Sequence, residues 1–366
     1  MEKKILRKHT TIVAVFQAEK EDHIMMKRFL LLVAVSVVVL SISGVAFGAA
    51  PFYEGKTIRT IVGLSPGGAF DQFARILSRH MPKYIPGKPT MIIENMTGAG
   101  GLIAANYIYK VARPDGLTMG HFSGGLLFAQ VLGQQGIEFD ARKFGYLGAI
   151  HKEDGVFFIS KESGITNIDQ LMASKALVKL GGVGVGMYSP DGILRVLKAT
   201  VGLPIQIVAP YKGGAEIRLA VEGGELAGSY LAWDAMKSNW SKRFEAGLAS
   251  IILQTGPTPL PDLPKVPLAI SLAKTEEARQ LIDVYVHNNN TFSRPFVIGP
   301  GVPPDRKEIL KKAFQEAIKD KEFIEEAGKA KLGINPVSGE EMEKAVAGIF
   351  KTDPAAVAKL KEILYK

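Results

Sequence analysis

One stretch of the chain could carry out nucleophilic chemistry. Residues 63–67 have the pattern Gly-x-Ser-x-Gly, in which Ser65 would be the nucleophile of a serine hydrolase, and they lie between a β-branched apolar run and an amphipathic run. Pro66 argues against this chemistry, because the oxyanion hole of such a site uses the backbone N–H of the residue after the nucleophile, and proline has none. Because the pattern still joins a predicted strand to a predicted helix, an exported hydrolase that uses Ser65 remains the alternative hypothesis.

The same stretch fits a nucleotide site poorly. Gly63 and Gly68 have the glycine spacing of a Walker phosphate loop, but residues 69–70 are Ala and Phe where Lys and Ser or Thr are required. A dinucleotide-binding loop would have a compact Gly-x-Gly turn where this sequence has Pro66, which argues against that interpretation. A second glycine-rich stretch at 181–186 is followed by a strand without the acidic residue that would hold a ribose.

Small residues at helix N-termini give a further interpretation of these loops. The Ser65 loop combines free N–H groups, a hydroxyl and the positive end of a helix dipole, so it could hold a carboxylate without Lys or Arg. Residues 97–101, 123–125 and 182–186 repeat the arrangement. Each could also be a tight turn that needs glycine's conformational freedom. Because ligands bind outside the carboxyl ends of parallel strands, loops of this kind are expected to converge on one cleft.

Composition excludes several other classes of site. The 366 residues include no cysteine, so disulfides, thiolate metal sites and thiol catalysis are excluded. Four histidines follow residue 48, at 80, 121, 151 and 287, without metal-binding spacing. No basic block is interleaved with aromatic residues, which argues against nucleic-acid binding. We therefore predict no metal and no cofactor.

The N-terminal segment has the pattern of an export signal. Lys27 and Arg28 precede an apolar run, and Ala46 and Gly48 stand at the −3 and −1 positions of a cleavage site, so residues 25–48 are predicted to be a cleaved signal peptide. An uncleaved membrane anchor is the alternative, because the run is long enough to span a bilayer. Residues 1–24 are interpreted as an extension from a start codon assigned too early. Residues 1–48 contain seven Lys/Arg and four Asp/Glu, which leaves a net charge of +6 on the mature chain.

The rest of the chain alternates between strand-like and helix-like patterns. Short β-branched runs followed by glycine-rich loops and amphipathic stretches predict parallel βαβ units in two successive sheets. The closing helices, with a capping box at Ser338 and Glu341, are expected to cover the first sheet. That layout requires two chain crossings, near residues 150 and 290. It predicts a two-lobe α/β protein in which each lobe is a mostly parallel sheet flanked by helices.

Four blocks of the sequence resemble a known family. They are "YEGKTIRTIVGLSPGGAFDQFARIL", "IIENMTGAGGLIAANYIYKVARPDGLTM", "VAPYKGGAEIRLAVEGGELAGSY" and "NPVSGEE". Together they are similar, from about Tyr53 to the C-terminus, to the extracytoplasmic solute receptors of tripartite tricarboxylate transporters, the Bug or TctC-like family.

The resemblance implies a Venus-flytrap periplasmic binding protein that is not an enzyme. Lobe 1 is expected to comprise residues 53–150 and 291–366, and lobe 2 residues 151–290. The receptor would be a monomer that captures an organic carboxylate between the lobes and delivers it to the large and small subunits of a membrane permease.

The resemblance also implies the residues that bind the solute, largely through backbone amides and water. Carried over to this sequence, they are Ser65, Pro66, Gly67, Gly68, Ala69, Phe70, Asp71, Ser123, Gly124, Gly184, Val185, Gly186 and Tyr211.

Two positions depart from the family's pattern, and the solute therefore does not follow from the resemblance. Phe70 stands where many members have a small or hydroxylated residue, and the second-lobe loop continues with Met187-Tyr188 and "SPDG" where many continue with Ser, Pro and His. Phe70 would favour an apolar or aromatic carboxylate if it faced the ligand, and would otherwise pack in the helix face. Asp71 is expected to stabilise the helix N-terminus, since a carboxylate repels an anionic solute.

Overall fold

The computed structural model describes residues 50–182, 190–209, 211 and 214–365, together with residues 25, 26 and 31. The chain forms two compact units, Met1–Pro51 and Phe52–Lys366. In the first unit, residues 1–24 and nearly all of the predicted signal peptide lie outside the described residues. Among the residues that are described, no helix has the length and apolar character needed to cross a membrane.

The strands of the second unit fall into two sheets. In chain order they are β1 (Thr57–Val62), β2 (Thr90–Asn95), β3 (Thr118–His121), β4 (Gly145–Ala149), β5 (Gly155–Ser160), β6 (Val178–Gly181), β7 (Ile205–Val208), β8 (Gly228–Ala232), β9 (Ala249–Gln254), β10 (Pro295–Ile298) and β11 (Val337–Ser338). The first sheet has the order β11-β4-β10-β3-β1-β2, and the second has the order β7-β6-β8-β5-β9.

Helices flank both sheets. In chain order the α-helices are α1 (Ala69–His80), α2 (Leu102–Lys110), α3 (Gly125–Val131), α4 (Ile168–Met172), α5 (Pro190–Val201), α6 (Gly214–Glu222), α7 (Trp233–Asn239), α8 (Ser241–Glu245), α9 (Glu276–Leu281), α10 (Asn288–Thr291), α11 (Pro304–Ala317), α12 (Lys321–Lys329), α13 (Gly339–Ile349) and α14 (Pro354–Tyr365). A π-helical segment, Ile282–His287, joins α9 to α10.

The two-lobe α/β fold is confirmed, but the sheets are mixed and not mostly parallel. In the first sheet β1 is parallel to β2 and β3, whereas β10 is antiparallel to both β3 and β4. In the second, β6 is parallel to β7 and β8, whereas β5 is antiparallel to β8 and β9. The physical reason is the short link between β4 and β5. Residues 150–154 leave no room for a crossover helix, so β5 enters the second sheet from the edge where its parallel strands end.

Amphipathic spacing explains how the helices pack. In α1, Phe73, Ile76 and Leu77 are buried at helical spacing against the first sheet. Helices α11 and α13 contact β4, as expected of closing helices. The last helix differs from that expectation. The buried stripe of α14, Ala356 and Leu360 among it, packs against α5 and α9, because those helices offer it an apolar partner face.

Candidate functional site

The predicted loops lie at one edge of each sheet. In the first sheet, the carboxyl ends of β1 and β3 share an edge with the start of β10 and the end of β4, since Phe296 pairs with His121 and Pro295 with Ala149. In the second sheet, the ends of β6 and β8 share an edge with the start of β5. Because the short segment 150–154 runs from Ala149 to Gly155, it joins these two edges directly.

The Ser65 loop forms the N-terminus of α1. Residues 65–68 are exposed, and Gly67 has a φ of +80°, which favours glycine. Gly68 is the N-cap and, as a glycine, has no side chain to cap the helix. The first turn of any α-helix has no intrahelical acceptors for its N–H groups, and here the N-cap residue supplies none. A helix end of this kind can accept an anion.

Asp71 stabilises this loop from inside. Its carboxylate is 2% exposed and accepts hydrogen bonds from Arg75 Nε at 2.8 Å, the Gly67 N–H at 2.9 Å and Asn95 Nδ2 at 3.0 Å. Burial raises the pKa of Asp71, but these hydrogen bonds outweigh it and lower the pKa to about 2. Asn95 also donates to the Leu64 carbonyl at 2.9 Å. The carboxylate thus stays ionised and connects the loop to α1 and β2.

Ser123 and Gly124 follow β3 at the same edge. The Gly124 N–H donates to the Ser293 carbonyl at 3.0 Å, and a Cβ on Gly124 would lie only 1.6 Å from the Phe292 carbonyl oxygen. Glycine is therefore required for this close backbone approach. Ser123 is 1% exposed, and within the described chain its Oγ has no hydrogen-bond partner.

His121 is a neutral, buried ring in the floor of this edge. It stacks on Phe296 with ring centroids 3.9 Å apart and lies 4.9 Å from Phe70. Burial lowers the pKa of His121 to about 3, although its hydrogen bond to the Pro295 carbonyl acts in the opposite direction. Since a carbonyl only accepts, Nδ1 carries the proton, and Nε2 is left as an acceptor without a partner among the described residues.

Two charged residues at this edge were not predicted from the sequence. Arg294, directly before β10, places its guanidinium 5.2 Å from the centre of the Phe70 ring and 5.6 Å from that of Phe73. It forms an ion pair with Glu153 of the 150–154 segment, at 2.5 Å. The available signals in the sequence were a positive residue directly before β10 and an acidic residue shortly before β5. Their contact spans 141 residues and has no periodicity in the sequence.

The second-sheet residues are only partly described. Gly184, Val185 and Gly186 lie outside the described residues. The backbone N–H of Tyr211 donates to the Gly182 carbonyl at 3.0 Å, which places Tyr211 beside the end of β6. Its hydroxyl donates to Glu225 at 2.6 Å, and this hydrogen bond, with burial, raises the pKa of Tyr211 to about 12.

Two other features do not belong to this edge. A cavity of about 410 Å³, lined by Gly145, Ile298 and Lys307 among others, lies at the opposite ends of β4 and β10. Within the described part of the chain, His80, Asp320 and Glu322 are grouped closely enough to ligate a metal. Asp320, however, already pairs with Lys83 and caps α12, which indicates an ion-pair cluster at a helix end.

Three solved structures share this fold. A TctC solute-binding protein from Polaromonas has a TM-score of 0.66 at 17% identity and covers 86% of this chain and 99% of its own. Rpa4515 of R. palustris with adipate has a TM-score of 0.60 at 20% identity, over 85% and 97% of the two chains. MatC of R. palustris with bound malate has a TM-score of 0.56 at 17% identity, over 84% and 99%. The architecture is therefore that of two-lobe solute-binding proteins.

Sequence comparisons define the family. A protein encoded in the tcbD–tcbE intergenic region of Pseudomonas sp. (strain P51) is 24% identical over 317 residues, 84% of this chain and 86% of the relative. BugT of Bordetella pertussis is 35% identical over 89 residues, 24% of this chain and 26% of BugT. Residues 73–347 match the tripartite tricarboxylate transporter family receptor, TctC, and the chain belongs to that family. It is a receptor and not an enzyme, which rules out the hydrolase alternative.

Proposed function

We propose that this receptor captures an organic carboxylate between the facing edges of its two sheets and delivers it to a membrane permease. The observation that carries the proposal is the loop 65–68. It is exposed, its helix has no side-chain cap, and the dipole of α1 ends there. Solved relatives of the same fold hold adipate and malate, both small carboxylates.

The buried polar groups near the loop support the same proposal. A buried hydroxyl without a partner costs roughly 1–3 kcal/mol, and a carboxylate oxygen would accept a hydrogen bond from Ser123. His121 adds no charge at neutral pH, because burial keeps the ring neutral. We propose that the Ser65 hydroxyl and the start of α1 hold the carboxylate, and that Gly67 and Gly68 shape the loop, because the Gly67 N–H already donates to Asp71 at 2.9 Å and the Gly68 N–H to the Ser65 carbonyl at 3.5 Å. The remaining binding residues of lobe 1 are Pro66, Ala69, Phe70, Asp71, Ser123 and Gly124.

We propose the second-lobe contacts by family resemblance. They are residues 184–186 and Tyr211, and they would close over the solute from the other sheet. Lobe 1 would comprise residues 53–150 and 291–366, with α14 reaching over to pack on α5 and α9 of lobe 2, residues 151–290. The partners would be the large and small permease subunits, with the receptor acting as a monomer outside the cytoplasm after cleavage of residues 25–48.

A thermal-shift screen tests solute capture. Purified residues 49–366 are heated with adipate, malate and a panel of related acids. A solute that binds only the folded state at 100 times its Kd adds about 2.7 kcal/mol of apparent stability. Adipamide is the matched control for adipate, because it retains the length and loses both charges. We expect acids to raise the melting temperature and the amide to leave it unchanged. A panel without any shift would contradict carboxylate capture.

The location and the partner need separate experiments. N-terminal sequencing of protein from the producing cells should begin near Ala49, and an intact segment 29–47 would instead support the anchored alternative. Co-expression with the two permease subunits should produce uptake of the acid identified by the screen. Uptake that is equal with and without the receptor would contradict the proposed delivery.

A further inference from the structure

Arg294 holds a positive charge directly beside the proposed carboxylate loop. Its guanidinium lies over Phe70 and Phe73 of the first turns of α1, at 5.2 and 5.6 Å from the ring centres. The side chain is 17% exposed. Contact with two aromatic faces stabilises a cation that is largely out of water. The charge is therefore held in place by α1 itself, close to the end that the Ser65 loop occupies.

The ion pair of Arg294 with Glu153 leaves polar atoms unused. Arg294 Nη2 and Nε donate to the same carboxylate oxygen of Glu153, Oε1, at 2.5 and 3.1 Å. A two-pronged guanidinium–carboxylate pair would use both oxygens. Within the described chain, Nη1 of Arg294 and Oε2 of Glu153 make no hydrogen bond. The Glu153 side chain is 28% exposed, so water can reach the carboxylate.

The two histidines whose pKa is influenced by Arg294 are neutral. Burial, and secondarily the charge of Arg294, lowers the pKa of both His121 and His151, which leaves both rings uncharged at neutral pH. Glu153 is then the anion bonded to the guanidinium. If another anion replaced Glu153, Arg294 would still be paired with one negative charge. The exchange would therefore never leave the buried guanidinium without a partner.

We propose that Arg294 is a specificity-determining residue, and that an acidic group of the solute replaces Glu153 on its guanidinium. The inference rests on the proposed function, because the solute's first carboxylate is held by the loop 65–68. The second acidic group reaches Arg294 on the other side of Phe70. Glu153 is released into solvent from the segment that joins the two sheets. A solute with two acidic groups is thereby favoured over one of the same length with a single group.

The inference predicts opposite effects of two variants, each of which removes one charge of the Arg294–Glu153 ion pair. Calorimetry compares adipate with hexanoate, and malate with 2-hydroxybutyrate, on the wild-type protein, Arg294→Gln and Glu153→Gln. Arg294→Gln should weaken binding of the two diacids by about ten- to hundredfold, since a hydrogen-bonded charge is lost. Glu153→Gln should strengthen it by about two- to fivefold, because the competing anion is removed. The monoacids should bind all three proteins with the same affinity.

A structural brace predicts a different pattern. If the ion pair only joins the two chain segments, both variants lose stability and both change diacid and monoacid affinity in the same direction, which would overturn the inference. Arg294→Lys, which keeps the charge but not the fork, should fall between wild type and Arg294→Gln, and it replaces the latter if that variant does not fold. Wild-type protein that binds none of the four acids and no other acid of the screened panel would contradict the proposed function as well. Binding by the wild type with responses of equal sign would contradict this inference alone.

Discussion

Asp71 places a negative charge beneath a loop that we propose binds an anion. The charge does not repel the solute strongly, because Arg75 pairs with it at 2.8 Å and two further donors surround it. Its oxygens point to the chain's own groups and hold Gly67 in its left-handed conformation. The carboxylate thus fixes the shape of the loop that we propose holds the solute.

Replacement of Asp71 by Asn should lower stability in a pH-dependent way. The folded pKa of Asp71 is about 2 against an ordinary value of 3.8. A depressed pKa contributes stability that is present above the ordinary value and is lost as pH falls through the folded one. Asp71→Asn should therefore cost on the order of 1–2 kcal/mol above about pH 5, and the difference should shrink between about pH 4 and 2. Urea unfolding of both proteins across this range measures it.

Glu276→Gln is the control for this experiment. Glu276 also lies in the first turn of a helix, but its side chain is 89% exposed. Its removal should change the free energy of unfolding little at any pH. A difference between Asp71→Asn and wild type that stays constant down to pH 2 would show that the folded loop leaves the pKa of Asp71 at its ordinary value.

Ser65→Ala should weaken the binding of the solute without abolishing it. The hydroxyl supplies one hydrogen bond among several, worth on the order of 0.5–3 kcal/mol, so affinity should fall by about twofold to a hundredfold. Calorimetry with the acid found by the screen measures the loss. Pro66→Ala is the companion variant, because it restores an N–H where an oxyanion hole would need one. Ester hydrolysis by either Pro66→Ala or wild type would contradict the receptor function.

At the scale of residues, sequence could predict local chemistry and not distant partners. The small residues around Ser65 and the helix after them predict an anion-binding turn, which stays a prediction. The stabilising role of Asp71 at the N-terminus of α1 follows from its place in the first turn. The pairing of Arg294 with Glu153 depends on two chain segments that return to the same edge. No spacing in the sequence encodes that return.

At the scale of elements, α13 shows how a short motif fixes a helix end. The Ser338 hydroxyl accepts from the Glu341 N–H at 3.2 Å, and the Glu341 carboxylate accepts from the Ser338 N–H at 2.8 Å. The capping box predicted from sequence is thereby confirmed. Because β11 ends at Ser338, the same residue stops the edge strand and starts the helix that covers β4.

Ser338→Ala should destabilise the protein by about 1 kcal/mol. The change removes the acceptor for the Glu341 N–H, and loss of an N-cap side chain costs roughly 0.5–2 kcal/mol. Ser338→Asp keeps an acceptor at the N-cap and serves as the control, with stability close to wild type. Chemical denaturation measures both. Equal losses in the two variants would indicate that the hydroxyl has a role other than capping.

Strand direction is the element property that sequence could not supply. The β-branched runs that became β1, β2 and β3 were readable and their parallel pairing was predicted. The antiparallel entry of β5 and β10 depends on which edge the chain leaves, and a run such as "GVFFIS" is apolar in either direction. The packing partner of α14 was predicted wrongly for a similar reason. Its apolar stripe indicates that one face is buried but not which element buries it.

At the scale of the whole molecule, we expect the solute to draw the two sheets together. The segments around 148–152 and 288–294 are the predicted hinges, since the chain passes between the sheets there. Small-angle scattering with a saturating acid should give a smaller radius of gyration than without it, and adipamide should give no change. An unchanged radius with the acid would argue for a preformed, rigid site.

The core limits how far such a motion can extend. Phe128 of α3 packs edge-on against Tyr285 of the π-helical segment, with ring centroids 5.3 Å apart, and both belong to one buried cluster that includes residues of both sheets. Well-packed contacts resist separation. Movement is therefore expected at the edge that carries the Ser65 loop, with the α3 side acting as the pivot.

Strand β10 is central in the first sheet although the ribosome makes it late. It lies between β3 and β4 and is the ladder partner of both. Because β10 lies between β4 and β3, β4 cannot join the sheet of β1, β2 and β3 until residue 298 has been synthesised. Pairings so remote along the chain form slowly. We therefore expect a nascent chain with this strand order to leave its first sheet incomplete until after residue 298 is made, and an incomplete sheet is compatible with the threading that the proposed export would require.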